Sequence, residues 1–475
     1  MSEHSEPSTG FESVMSPEEA LMWRLGSDPR LDPSGGLLAI LDQAVDVDLL
    51  RRKLSAGAVR FPRLAERVIE PTSPLAAPFW ATDPHFDPAM HVIEVSVPPP
   101  GAHRDVLDLT AQLMAEPFPA DSPPWVIYVI HGLAEGRSAL LSRLHHAVAD
   151  GLGGLRLAEV YVDLEQATDD PGETDLASFL ADRQSDASAS AQTDQPDAFL
   201  GALIDALGVV RSAAAEAALI GADPARAART GGQALDILRD IVDRLAGDPY
   251  LDSTSTMWTG RSEQRYLVTA HMPLATAKTA ATRLGGTVND LFVSALAEAA
   301  VDYHHLDGEE PRSVSMSFVR STRTGANAGG NAFVPIRVRA PGSGADPVAR
   351  FAALRDAMAS AAEPNEQGLA ALSSLAAMLP LTALSRLGRE QGSRVDIVTS
   401  NLRGAPVPLF VTGAKIEAAY PIGPLAGSAS NATVMSNDGR LDVGIMIDPA
   451  AIDDPDRFEN HVQQVFDRYA DERDS

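Results

Sequence analysis

The residues of this chain best equipped for chemistry are His145-His146-Ala147-Val148-Ala149-Asp150-Gly151. Two adjacent imidazoles, a carboxylate four residues on and a glycine spell HHxxxDG. Neighbouring residues on a strand point to opposite faces, so the pair is poorly arranged to chelate one metal, and no metal site is expected. One imidazole can face a cleft while the other packs or hydrogen-bonds inward. A histidine with an ordinary pKa of about 6.5 suits general-base work at neutral pH. Asp150 can orient a histidine or brace the loop, and Gly151 lets backbone approach a substrate closely. The competing reading is a structural histidine pair at a strand end, with Asp-Gly as an ordinary turn. His304-His305-Leu306-Asp307-Gly308 has similar letters at the wrong spacing and reads as a surface loop without function.

The elements around the motif are legible. Trp125 to Leu133 and Ser138 to Leu144 read as two strands joined by a turn at Ala134-Glu135-Gly136-Arg137, delivering the histidines at a strand end. A glycine-rich turn (Gly151, Gly153, Gly154) and a helix over Leu155 to Val162 are expected next. Upstream, Ser16-Pro17-Glu18-Glu19 predicts a helix start, with the helix running to Leu25. Asp46 to Val59 and Arg104 to Ala115 have helical spacing, and Met90 to Val97 reads as a strand. Gln166 to Asp197 is acid-rich and reads as a solvated linker. Ala-rich helices follow over Ala198 to Ala246. Beyond them, strands (near 265–272, 312–318, 333–338, 397–400, 411–420, 432–436 and 440–447) alternate with helices (274–284, 287–303, 349–358, 367–385 and 455–469). The division expected is a tail at 1–14, a first domain at 15–165, the linker at 166–197 and a second domain at 198–475.

Composition sets the limits. The chain has 475 residues; 38 Lys plus Arg stand against 65 Asp plus Glu, a net charge of −27. The pI near 4.7 argues against sequence-independent nucleic-acid binding and against electrostatic docking on anionic lipid, since both need clustered cations. Any membrane contact must be apolar. There is no cysteine, hence no disulfide, thiolate metal site or cysteine nucleophile. The first ten residues lack a basic and apolar signal pattern, so a cytoplasmic location is expected. The uncharged stretch Gln367 to Ser385 approaches a membrane span in length, but Ser373, Ser374, Thr382 and Pro380 make it a buried or interfacial helix.

Further segments carry a resemblance. HHxxxDG is the signature of the CoA-dependent acyltransferases and peptide-synthetase condensation domains. Pro78-Phe79-Trp80 with Phe86-Asp87, Pro123-Pro124-Trp125 with His131 to Arg137, Gly286-Thr287-Val288-Asn289-Asp290, Ser400-Asn401-Leu402-Arg403-Gly404-Ala405-Pro406 with Pro408-Leu409-Phe410, and Ile422-Gly423-Pro424 together resemble the bacterial wax ester synthase/diacylglycerol acyltransferase family over about residues 12 to 470. Two departures stand out: Glu19 where that family usually has Asp, and Arg403 between Ser-Asn and Gly. The resemblance implies an α/β (α+β) fold of two chloramphenicol acetyltransferase-like domains, mixed sheets covered by helices, with a tunnel between them. It makes His146 the base, gives His145 and Asp150 supporting roles and places Gly151 beside them. Asn289 and Asp290 would support the site from the second domain. Ser400, Asn401, Pro408, Leu409 and Phe410 would form a loop near the tunnel or at a membrane-facing surface. Implied substrates are acyl-CoA and a lipid alcohol or diacylglycerol, with no cofactor and with peripheral contact at a membrane or lipid droplet. Two alternatives remain open: a carrier-protein-dependent condensation or polyketide-associated acyltransferase, and a non-catalytic lipid-binding relative.

Overall fold

A computed structural model describes residues 13–71, 77–119, 121–149, 151–190, 257–308, 310–321, 333–344, 346–361 and 379–471. Asp150, the helices read over 198–246 and most of the 367–385 stretch lie outside them.

The chain opens with β1 (Ser13–Val14) and α1 (Pro17–Leu25). Ser16 and Glu19 close a capping box at the start of α1. β2 (Ser34–Leu41), α2 (Val47–Arg60), β3 (Glu66–Ile69), β4 (Phe79–Thr82), α3 (Pro88–His91) and β5 (Val92–Ser96) follow. The strand expected from Met90 starts later because Asp87 caps a short helix that takes Met90 and His91. Next come α4 (His103–Ala115), β6 (Trp125–His131), β7 (Ser138–His145), α5 (Gly151–Ala158), β8 (Val162–Asp163) and α6 (Leu176–Ser190). Beyond residue 257 lie β9 (Tyr266–Pro273), α7 (Leu274–Arg283), α8 (Val288–His305), β10 (Ser313–Ser321), β11 (Phe333–Pro341), α9 (Pro347–Ser360), α10 (Leu381–Ser393), β12 (Ile397–Arg403), β13 (Phe410–Val411), β14 (Ala414–Ile422), β15 (Ser430–Asn437), β16 (Arg440–Ile447) and α11 (Pro455–Asp471).

Two large mixed sheets organise these elements. The first has the order β5-β6-β7-β2-β14-β13-β8 and the second β11-β10-β12-β15-β16-β9. A small third sheet, β1-β4-β3, lies beside the first. β13 and β14 thus return from late in the sequence to complete the sheet that carries the histidines. The run read as one strand over 411–420 is two, because Thr412 and Gly413 take left-handed conformations (φ 47° and 87°) and turn the chain between them. Leu267 of β9 and Met446 of β16 share a buried cluster with Leu38, Val106 and Leu141, so the two halves have a common core. The second sheet is covered by α8, whose Leu291 to Val301 is buried throughout.

Two expectations need correction around the motif. The glycines after Asp150 are not a turn; α5 begins at Gly151 itself. A Cβ at Gly154 would lie 3.3 Å from Leu144 Cδ2, so glycine lets the helix sit close on β7. The acid-rich stretch is not solvated along its length either. It contains α6, on which Leu180 and Arg183 are buried. Arg183 donates to Glu66 of β3 at 2.6 Å, and both side chains are under 10% exposed (7% and 9%). Burial raises the Glu66 carboxyl above its usual range. Arg183→Ala is expected to cost about 2 kcal/mol in urea denaturation, because it leaves the buried Glu66 carboxylate with Arg63 alone, at 3.4 Å. A solvated arginine would cost under about 0.5 kcal/mol.

Asp396, directly before β12, anchors the second half. It accepts from the backbone N–H of Met257 (2.9 Å), Trp258 (3.3 Å) and Ser315 (2.9 Å). Burial pushes its carboxyl up to about 6. The folded state therefore holds this proton more tightly than the unfolded chain. The stability it contributes is full below about pH 4 and is lost as pH rises through about 6. The stability of the wild type relative to Asp396→Asn is expected to fall by on the order of 2–3 kcal/mol between pH 4 and pH 7. Thermal melts of both proteins across that range check it.

Candidate active site

β7 runs antiparallel to β2, with His145 directly opposite Ser34. His145 is the last residue of the strand and faces inward. The Ala147 N–H donates to its Nδ1 (3.1 Å), which leaves the proton of a neutral ring on Nε2. Its ring lies 5.2 Å from that of Trp23 on α1. It is 4% exposed, and burial pulls its pKa down to about 4. His145 therefore stays neutral at physiological pH and shapes the turn that follows it.

His146 lies one residue past the strand and is half-buried. A Cβ on Gly35 of β2 would sit 3.4 Å from His146 Nε2 and 3.2 Å from the Ile422 carbonyl of β14. Glycine at 35 thus lets β2, the imidazole and the end of β14 converge. Ala147 is buried with Met15, Ala20, Val68 and Trp80, so the small third sheet and α1 back the turn that holds His146.

From Ile422 the site continues into the second sheet. At Gly423 a Cβ would collide with the Asn431 side chain. Asn431 of β15 donates Nδ2 to the Pro424 carbonyl (2.7 Å), and Thr433 Oγ1 donates to Asn431 Oδ1 (3.0 Å). Thr433 is paired in register with Ser400 of β12, and Val434 with Asn401. Asn401 Nδ2 donates to Asn289 Oδ1 at 3.2 Å. A continuous row of contacts thus leads from His146 through Gly35, Ile422, Asn431 and Thr433 to the Ser400-Asn401 and Asn289 segments.

The other expected residues divide. Asp290 closes a capping box on α8: the Thr287 N–H (2.7 Å) and Oγ1 (2.8 Å) both donate to Oδ2. Pro408 is exposed and does not join the row. Leu409 packs against the core of the first sheet, and Phe410 in β13 pairs with Lys415 and with Asp163 of β8. Gly151 heads α5. The second His-His segment is not the surface loop expected: both histidines close α8, His304 is buried beside the Trp258 ring (5.3 Å), and just past the helix Asp307 accepts from Arg457 twice (3.0 and 2.8 Å). No cluster of three or more potential metal ligands occurs among the described residues, and no described helix is long and apolar enough to cross a membrane.

Several residues of the site give little or no sign in the sequence. Asn431 and Thr433 sit in an ordinary strand pattern, and Asp32 in a loop. Arg143 is visible only as one cation in an apolar strand. Asp32 Oδ1 accepts from the Ser34 N–H (2.9 Å) and Oγ (2.6 Å). Its Oδ2 lies 3.1 Å from Arg265, just before β9, and 3.7 Å from Arg143 on β7.

Comparison with known sequences places this geometry. The family model for the wax ester synthase/diacylglycerol acyltransferase catalytic domain matches residues 15–292, and that for the C-terminal domain matches 327–469. A Mycobacterium tuberculosis protein assigned as a diacylglycerol O-acyltransferase is 31% identical over 459 residues, covering 95% of this chain and 91% of its own. Among solved structures, the wax ester synthase/diacylglycerol acyltransferase from Marinobacter aquaeolei VT8 superposes with a TM-score of 0.63 at 18% identity, covering 96% of this chain and 98% of that one. The first condensation domain of the CDA synthetase gives 0.54 at 18% identity, covering 98% and 97%. These two likenesses establish the two-domain chloramphenicol acetyltransferase-like fold.

Proposed function

The chain belongs to the wax ester synthase/diacylglycerol acyltransferase family and is an acyltransferase, and from that premise we propose that it moves a fatty acyl group from acyl-CoA to the hydroxyl of diacylglycerol or a long-chain alcohol, with His146 as general base. The observation that carries the assignment is the division of labour in the histidine pair. His145 is sealed and neutral, whereas His146 is half-buried with Nε2 at the convergence of β2 and β14.

In this reading Nε2 of His146 takes the proton of the acceptor hydroxyl. The oxygen attacks the thioester carbonyl and forms a tetrahedral oxyanion. The C–S bond then breaks, the ester is released, and the CoA thiolate recovers the proton from the imidazolium. No cofactor and no covalent acyl-enzyme are required. Holding both substrates in one site supplies the remaining acceleration. Asn289 and Asn401, bonded to each other, would brace the site from the second half. Acceptor delivery would involve peripheral, apolar contact with a membrane or droplet.

The test is a product assay with purified protein, palmitoyl-CoA, and hexadecanol or a diacylglycerol offered in parallel. Wax ester or triacylglycerol that disappears in His146→Ala supports the reading and ranks the acceptors. Folded protein that yields neither ester overturns it in favour of a carrier-bound donor or a non-catalytic lipid binder.

A further inference from the structure

The loop between α1 and β2 carries a buried ion cluster that ties the histidine-bearing strand to the second half. Asp32 is its centre. Arg143 reaches it from β7, three residues before His146, and is 2% exposed; the Arg265 side chain reaches it from the start of β9 and is 6% exposed. Arg143 lies over the Phe118 ring at 4.1 Å, and that ring in turn meets His145 edge-on at 6.4 Å. Arg265 also donates to the Pro29 carbonyl (3.4 Å), and Arg389 of α10 donates to Asp28 at 2.6 Å, so the same loop is held to the second half at two further points.

The carboxylate acts on the histidines through two short routes. One is mechanical: it binds Ser34, which is paired with His145, and the next residue is Gly35, against which the His146 ring rests. The other is electrostatic. Asp32 faces two guanidinium groups, and Glu116 also faces Arg143, so the carboxylate of Asp32 offsets positive charge beneath the pair in surroundings where screening is weak. The ionisable groups around this cluster on the described elements are His145 and Arg143 on β7, Asp32 at the entry to β2, Arg265 from the second half, and Tyr128 of β6 with Glu116 after α4, both of which face Arg143. Ile422, Gly423, Asn431 and Thr433 add none. Asp150 lies outside the described residues.

We infer that Asp32 is a positioning residue for His146: its carboxylate fixes β2 against the catalytic turn and balances the two buried arginines that join this turn to the second half. The inference rests on the acyl-transfer reading, because the role concerns how His146 works.

The experiment compares wild type, Asp32→Asn and Arg265→Gln in acyl transfer, with rates expressed per folded molecule by circular dichroism. Asp32→Asn removes the carboxylate that both arginines face, leaving only Glu116 near Arg143. It is expected to lower kcat at least tenfold, to change either KM less than threefold, and to move the acid limb of the pH–rate profile to lower pH, roughly 0.5 unit. Arg265→Gln removes one cation from the cluster, and the limb is expected to move to higher pH by a similar amount, about 0.5 unit. Opposite displacements follow from charge and not from loosened packing. Limbs that stay put, or move the same way, overturn the inference. Should Asp32→Asn fail to fold, Arg265→Gln decides alone: an upward limb upholds the inference and an unmoved one overturns it. Wild type that transfers no acyl group overturns the functional reading instead.

Discussion

His146→Ala is expected to lower kcat/KM for acyl transfer by roughly 10²–10⁴-fold, the usual worth of a positioned general base. Folding should be nearly untouched, since His146 is half-buried and the packing of the turn is supplied by Ala147 and His145. The neighbouring substitution should behave differently. His145→Ala removes a ring wedged against Trp23 and frees the Ala147 N–H, so its main expected effect is on melting temperature. The pH–rate profile separates the two. His145 protonates only near pH 4, so an acid limb closer to neutrality belongs to His146 and should vanish with it. Steady-state kinetics with both acceptors, together with thermal melts of both variants, check this. Near-normal turnover of His146→Ala would remove it from the reaction.

Trp80→Ala is expected to cost about 3–5 kcal/mol, the range for deleting a large buried aromatic. Trp80 is fully buried at the centre of the small cluster with Met15, Ala20, Val68 and Ala147. The Arg63 guanidinium lies 4.1 Å over its ring. Its loss leaves a cavity directly behind the turn that presents His146, so kcat should fall together with stability. The indole N–H makes no hydrogen bond among the described residues. Trp80→Phe should therefore keep most of the packing and cost under about 2 kcal/mol. Urea denaturation and kcat of both variants test this. An alanine variant as stable as wild type would mean that the turn does not depend on the small sheet.

These two residues mark how far the sequence can be read. Most elements are legible because their signals are local: the Ser16 to Glu19 capping box, the turn between β6 and β7, and the Asp438-Gly439 turn between β15 and β16 depend on residues a few positions apart. Motif spacing likewise singles out His145 and His146; Asn289 and Asn401 are singled out only by the family resemblance, and their contact depends on distant segments. Asp32, Arg143, Asn431 and Thr433 are not legible as site residues, because their significance arises only when β2, β7, β14 and β15 are brought together. Charge counting misreads α6. One buried arginine, Arg183, and Leu180 dock that helix, whatever the acidity of the stretch around them. The glycines after Asp150 mislead because glycine can serve a turn or a close helix–strand contact, and only packing tells which.

The return of β14 to the first sheet bears on how this protein emerges from the ribosome. β2 needs β7 on one side and β14 on the other, yet the register to β14 involves Ile416 to Ile422. β7 ends at His145 and β14 begins only at Ala414, so well over half of the chain separates them. During synthesis the histidine-bearing hairpin and β2 can assemble early, but one edge of β2 stays open to other strands until almost all of the chain has left the exit tunnel. Such a late, non-local closure slows folding and exposes an aggregation-prone edge. Premature termination anywhere before residue 414 would leave that edge permanently unpaired. Shortened products should therefore accumulate as insoluble material or depend on chaperones, rather than persist as a free-standing amino-terminal half.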